Sequence, residues 1–248
     1  MRRDFTLLFL ILSSFITHSQ TFYNSNAIQD IRIVFSQSNW DALLDAQEAG
    51  AGDYISAQSV TINGQIFNNV GVKYKGNSSY NPNYVKNPLH IELDTYVNQN
   101  YEGYTDIKLS NVIFDPSFVR ETTAYSILGQ YMHAPLANYA NVYINGNLIG
   151  LYTNVESISK KFVNTHFGSN NNAFFSCSPP AGAGPGTTNL PNLAYLGTNS
   201  ASYESAYEIK STTGWDDLIN LTNTLSNNTS NIESVLDVDR ALWMLAFD

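Results

Sequence analysis

Gly71-Val72-Lys73-Tyr74-Lys75-Gly76-Asn77-Ser78-Ser79, followed after a Tyr/Asn/Pro loop by Lys86-Asn87-Pro88-Leu89-His90-Ile91-Glu92-Leu93-Asp94, reads as strand, small polar loop, strand. Val72 and Tyr74, then Leu89, Ile91 and Leu93, alternate with polar residues, the period-two pattern of half-buried strands. Gly76, Asn77 and Ser78 put small residues where the chain reverses, which leaves backbone N–H groups free to face an anion. Lys75 and Lys86 flank that loop. On local chemistry alone the plainer reading is a solvated hairpin, and the elements around it decide the matter.

Upstream, residues 31–35 form a strand and residues 39–49 a helix, with Ser36 or Ser38 available as its cap and Gly50-Ala51-Gly52 as its stop. Asn63-Gly64 and Asn145-Gly146 each sit between alternating strands, a strong hairpin signal. Residues 106–110 read as a further strand. Asp115-Pro116-Ser117 reads as a helix start, with the helix over 118–130 carrying Arg120 and Glu121. Past Glu156 helices dominate: a short one capped by Ser157, one from Trp215, and one opened by Asp237-Val238-Asp239 with Leu242, Leu245 and Ala246 on its inner face. Residues 178–191, rich in Pro, Gly, Ala and Thr, read as a flexible surface loop.

The 248 residues are 43% hydrophobic, ample for a buried core in one or two domains. Only 13% are charged, a composition that suits a secreted chain, and the net charge of −9 lacks the basic face that non-specific nucleic-acid binding requires. Anionic membranes are disfavoured as partners for the same reason. Met1-Arg2-Arg3, an apolar run from Phe5 to Ile16 and a polar end at Thr17–Gln20 make residues 1–20 a secretory signal peptide, too short to span a bilayer. No membrane insertion is expected once it is cleaved. Cys177 is the one cysteine, so no internal disulfide forms, and the four histidines have no metal-ligand spacing.

In wording as well as order, the chain resembles the CotH kinase-like family, the spore coat protein H type of atypical secreted kinase. The matching pieces are 72–79, 86–94, Asp115-Pro116-Ser117-Phe118-Val119-Arg120-Glu121, Ala134-Pro135, Tyr143–Tyr152, Val155-Glu156-Ser157-Ile158 and Leu236–Asp239. They run in the family's sequence across residues 28–248. The resemblance implies an α+β fold: a protein-kinase-like small lobe (antiparallel sheet plus one main helix) over 28–156, then the start of a helical large lobe over 157–248, C-terminally truncated.

It also implies transfer of the ATP γ-phosphoryl group, with Mg or Mn, to Ser or Thr of a surface or coat protein. In such chemistry a lysine reaches the phosphates and a helix glutamate holds it. Glu121 is the glutamate by the Arg-Glu match, and Lys75 and Lys86 compete for the lysine's role, with Lys73 a poorer third. Gly76, Asn77 and Ser78 would face phosphate. Residues 154–157 would form a hinge, where Glu156 meets nucleotide or fixes the join. His90 departs from the basic residue relatives often carry. The family's catalytic and metal-binding aspartates are expected beyond Asp248, so this stretch by itself is expected to be inactive. A pseudokinase scaffold and an extracellular glycan or cell-wall binding module are the competing readings.

Overall fold

A computed structural model describes residues 21–76, 78–177, 187 and 190–247. The expected signal peptide, Asn77 and most of the expected loop at 178–191 lie outside the described residues.

Seven strands form the body: β1 (Ile28–Val34), β2 (Ile55–Ile62), β3 (Gln65–Tyr74), β4 (Leu89–Glu92), β5 (Asp106–Ser110), β6 (Ala137–Ile144) and β7 (Asn147–Glu156). They pair in the order β1-β2-β3-β4-β5-β7-β6 and close on themselves as a barrel. Every contact around it is antiparallel except the closing one, where β1 runs parallel to β6 with Ile31 opposite Val142 and Ile33 opposite Ile144.

Closure overturns the expected architecture. A kinase-like small lobe of antiparallel sheet plus one main helix, followed by the start of a helical large lobe, is not what forms. The sheet is a mixed barrel and the helices are few and short. What closes the sheet is β1, which pairs with both β2 and β6, and the two Asn-Gly turns hold the hairpins on either side of it. Asn63 and Gly64 (φ 49° and 89°) and Asn145 and Gly146 (47° and 84°) all take positive φ, as a tight hairpin turn requires. Both asparagine side chains then reach β1: Asn63 Oδ1 accepts the Asp30 N–H at 2.9 Å, and Asn145 Oδ1 accepts the Phe35 N–H at 2.8 Å. The first strand is therefore stitched to both hairpins, and the edge that β6 would otherwise expose is paired.

Alternation along each strand sends one set of side chains inward. Ile31, Ile33, Val60, Ile62, Val72, Tyr74, Leu89, Ile91, Ile107, Leu109, Val142 and Tyr152 are buried in one cluster with Phe22. Each such side chain stabilises the fold by about 1.5–3 kcal/mol relative to leaving it in water. Helix α1 (Trp40–Glu48) is attached through Leu44, fully buried, and through the Tyr74 hydroxyl, which donates to Asp41 at 2.5 Å.

Helix α2 (Arg120–Leu128) starts later than the expected 118. Asp115 does cap it, but from further back: its carboxylate accepts from Ser117 N–H at 3.0 Å and Arg120 N–H at 2.8 Å, while Phe118 takes a φ of 63°. After β7 come α3 (Lys160–Phe167), β8 (Phe175–Cys177), β9 (Tyr207–Ile209), α4 (Trp215–Asn227) and α5 (Val238–Phe247). Tyr203, Ala206, Tyr207 and Leu218 make a second, small core there. Leu242 and Leu245, read from sequence as buried, are 59% and 73% exposed on α5.

Candidate functional site

Outward-pointing residues of the barrel wall meet in one place. Lys75 follows β3, His90 and Glu92 lie on β4, Asp106, Lys108 and Ser110 on β5, and Val155 on β7. Register puts His90 beside Lys108, Glu92 beside Asp106, and Lys108 beside Val155. These residues floor a cleft of about 800 Å³. Helix α2 supplies one wall through Glu121 and Tyr125, while residues 157–160, Phe174–Cys177 and Lys210 supply the other.

Four lysines, Lys75, Lys108, Lys160 and Lys210, line this cleft out of the twelve basic residues in a chain of net charge −9. Lys210 is paired with Glu208 at 2.5 Å. Among the described residues the other three form no ion pair within 4.0 Å. Burial pulls the Lys75 ammonium below its ordinary pKa; Glu121 opposes that shift and Lys108 adds to it. Burial likewise pushes the Glu121 carboxyl up, against the pull of a 3.3 Å hydrogen bond from Ser110 Oγ and the charge of Lys75. A desolvated cation facing a desolvated acid, without direct contact, leaves room for an anionic ligand between them.

A hydrogen-bonded chain crosses the same floor. Ser157 Oγ donates to Asp106 Oδ2 at 2.7 Å, Asp106 Oδ1 meets His90 Nε2, and His90 Nδ1 lies 3.2 Å from the Tyr54 hydroxyl. Burial alone would raise the Asp106 pKa, but the bonds from His90 and Ser157 and the charge of Lys108 hold it below the usual carboxylate range.

The residues chosen from sequence are divided by this geometry. Lys75, Glu121 and Glu156 come together in the cleft. Gly76 and Ser78 do not line it, and Asn77 lies outside the described residues. Lys86 faces a different depression, its ammonium 5.1 Å from the Phe118 ring and 5.3 Å from that of Tyr152. Lys73 turns to the other side, donating to the Gly52 carbonyl at 2.9 Å.

Glu156 is tied at both ends to one residue: its N–H donates to the Leu136 carbonyl at 2.8 Å, and its carboxylate accepts the Leu136 N–H at 3.1 Å. It is a strand residue inside β7, so no free hinge forms at 154–156; the chain leaves the sheet only at Ser157. Lys108 and Asp106 were missed from sequence because alternation on a short strand marks them as solvent-facing. The signal that could have found them is their place on the outer face of the strand preceding the Glu121 helix.

The family model described as CotH kinase protein matches residues 72–248. The chain belongs to the CotH kinase protein family. That membership gives it a kinase-like function in outline. Comparison with curated proteins finds no match. The matched span includes the cleft residues from Lys75 to Lys210, and leaves out Tyr54.

Proposed function

We propose that the cleft binds ATP and that the chain is part of a secreted CotH-type protein kinase acting on Ser or Thr of a surface or coat protein. Support comes chiefly from one observation: the Lys75 ammonium, drawn out of water, has neither hydrogen bond nor ion pair among the described residues and faces Glu121 across an open cleft. A buried cation without a partner is costly, and a phosphate group removes that cost. Lys108, on β5 with β4 between it and β3, lines the same cleft and shares the charge, and Lys160 extends it. Tyr125, Pro135, Val155, Ile158 and Phe175 offer apolar surface suited to a purine.

ATP when bound supplies the phosphoryl group. This chain's residues then neutralise its phosphates, with Glu121 and Ser110 orienting Lys75. Among the described residues no group of three or more His, Cys, Asp or Glu is placed to hold a metal ion. Secretion rests on the sequence of residues 1–20 alone.

Thermal unfolding with added ATP tests the reading. We expect a saturable rise in Tm with wild type that Lys75→Met and Lys108→Met each reduce by most of its size. Equal shifts in wild type and both variants, or stabilisation by soluble glycans and not by ATP, would overturn it.

A further inference from the structure

Lys86 lines a second depression. Its depression, about 620 Å³, is walled by Tyr84, Val85, Val112, Ile113 and Phe118. Tyr84, Val85 and Ile113 leave 53%, 47% and 42% of their surface in water, so a run of apolar side chains stays uncovered. Within that apolar ground the Lys86 ammonium has no carboxylate partner among the described residues. Asp115 also lines the groove, but its oxygens already accept from Ser117 N–H, Ser117 Oγ and Arg120 N–H.

Three further observations bear on the groove. Val112 and Phe118, on its walls, take φ of 59° and 63°, a left-handed conformation costing about 1–2 kcal/mol in a residue with a Cβ. Such strain gathers at binding sites. The Asn111 amide also fixes the floor, donating to the carbonyls of Ser79 at 2.9 Å and Lys86 at 3.1 Å. Finally, a third depression adjoins both groove and cleft. It shares Ser110 and Glu121 with the cleft, and Val112, Ile113 and Asp115 with the groove.

We propose that this furrow docks an extended protein segment in which one acidic side chain lies between apolar ones, its carboxylate meeting the Lys86 ammonium. Charge complementarity selects the acid, and the exposed apolar wall selects its neighbours. That the docked segment is then led toward the cleft rests on the function proposed above; the docking itself does not.

The probe is a fluorescein-labelled Leu-Glu-Phe-Leu peptide, followed by fluorescence polarisation without ATP, beside its Leu-Gln-Phe-Leu counterpart. We expect saturable binding that weakens about tenfold when Glu is replaced by Gln, and by the same factor in Lys86→Met, with the two losses not adding. Ile113→Glu, at a half-exposed site that leaves the barrel untouched, should abolish binding, and Lys75→Met should leave it unchanged. Equal affinity for the two peptides, full binding by Lys86→Met or Ile113→Glu, or preference for phosphatidylglycerol vesicles over the peptide would overturn the proposal. Peptide binding that persists while ATP fails to stabilise the chain would sink the ATP reading and leave the docking site standing.

Discussion

Lys75 and Glu121 face each other across one cleft with opposite charges, yet they form no ion pair within 4.0 Å. Burial acts on both in the costly direction, lowering the lysine's pKa and raising the glutamate's. Burial therefore disfavours both charges of the pair. Replacing Lys75 by Met keeps the stem and removes the desolvated charge. We expect Lys75→Met to raise stability by about 0.5–2 kcal/mol while losing the ATP-dependent shift, the usual opposition between stability and function. Differential scanning calorimetry without ligand checks the first half; an unchanged or lower Tm would contradict it.

Glu121 gives a pH signature of its own. Its folded pKa is raised, so its contribution is fully present below the unfolded carboxylate value, near about 4.3, and is lost as pH rises through the folded value. Glu121→Gln lacks that loss. Between pH 4 and 7 the variant should gain stability relative to wild type, measured by urea unfolding at several pH values. A difference that stays flat across the window would show that the carboxyl is not desolvated.

Gly76 joins β3 to the loop that the sequence marks as phosphate-facing. Its φ is 102°, and a Cβ there would meet Ser79 Oγ at 2.5 Å. Gly76→Ala should therefore cost more than the backbone strain alone, which is about 1–3 kcal/mol. Adding Ser79→Ala removes the clash and should recover the excess but not the strain. Chemical denaturation of the two variants separates the terms, and complete recovery in the double variant would rule out the backbone part.

How far the sequence carries can be read from these residues. Both Asn-Gly turns, strands β4 and β5, and the Glu121 helix are legible because hairpin chemistry and two-residue alternation are local. Closure is not, because a strand with one buried face reads the same in an open sheet and in a barrel. The parallel pairing of Ile31 with Val142 joins residues far apart in sequence, and the Asn145 side-chain bond to the Phe35 N–H beside that seam has no periodic signature. For the candidate site, the wording of the sequence points to Glu121 and leaves Lys75 and Lys86 as rivals. Lys86 could be separated from Lys75 only once the loop between them was seen to turn its second lysine toward Phe118 and Tyr152.

Asp106 supplies the last prediction. It is half-buried, holds His90 and Ser157, and has its pKa held below the usual range by those bonds and by Lys108, which outweigh burial. A group of this sign contributes stability above its unfolded pKa, about 3.9, and loses it as pH falls through the lower folded value. Asp106→Asn gives up that contribution at neutral pH and strands the Ser157 and His90 donors on a weaker acceptor, costing about 1–3 kcal/mol. The gap between wild type and Asp106→Asn should therefore be widest near pH 7 and close as the pH drops below 4, followed by urea unfolding. A gap that keeps its size at pH 3 would mean that the carboxylate's charge plays no part, and that the Tyr54–His90–Asp106–Ser157 chain is held by packing alone.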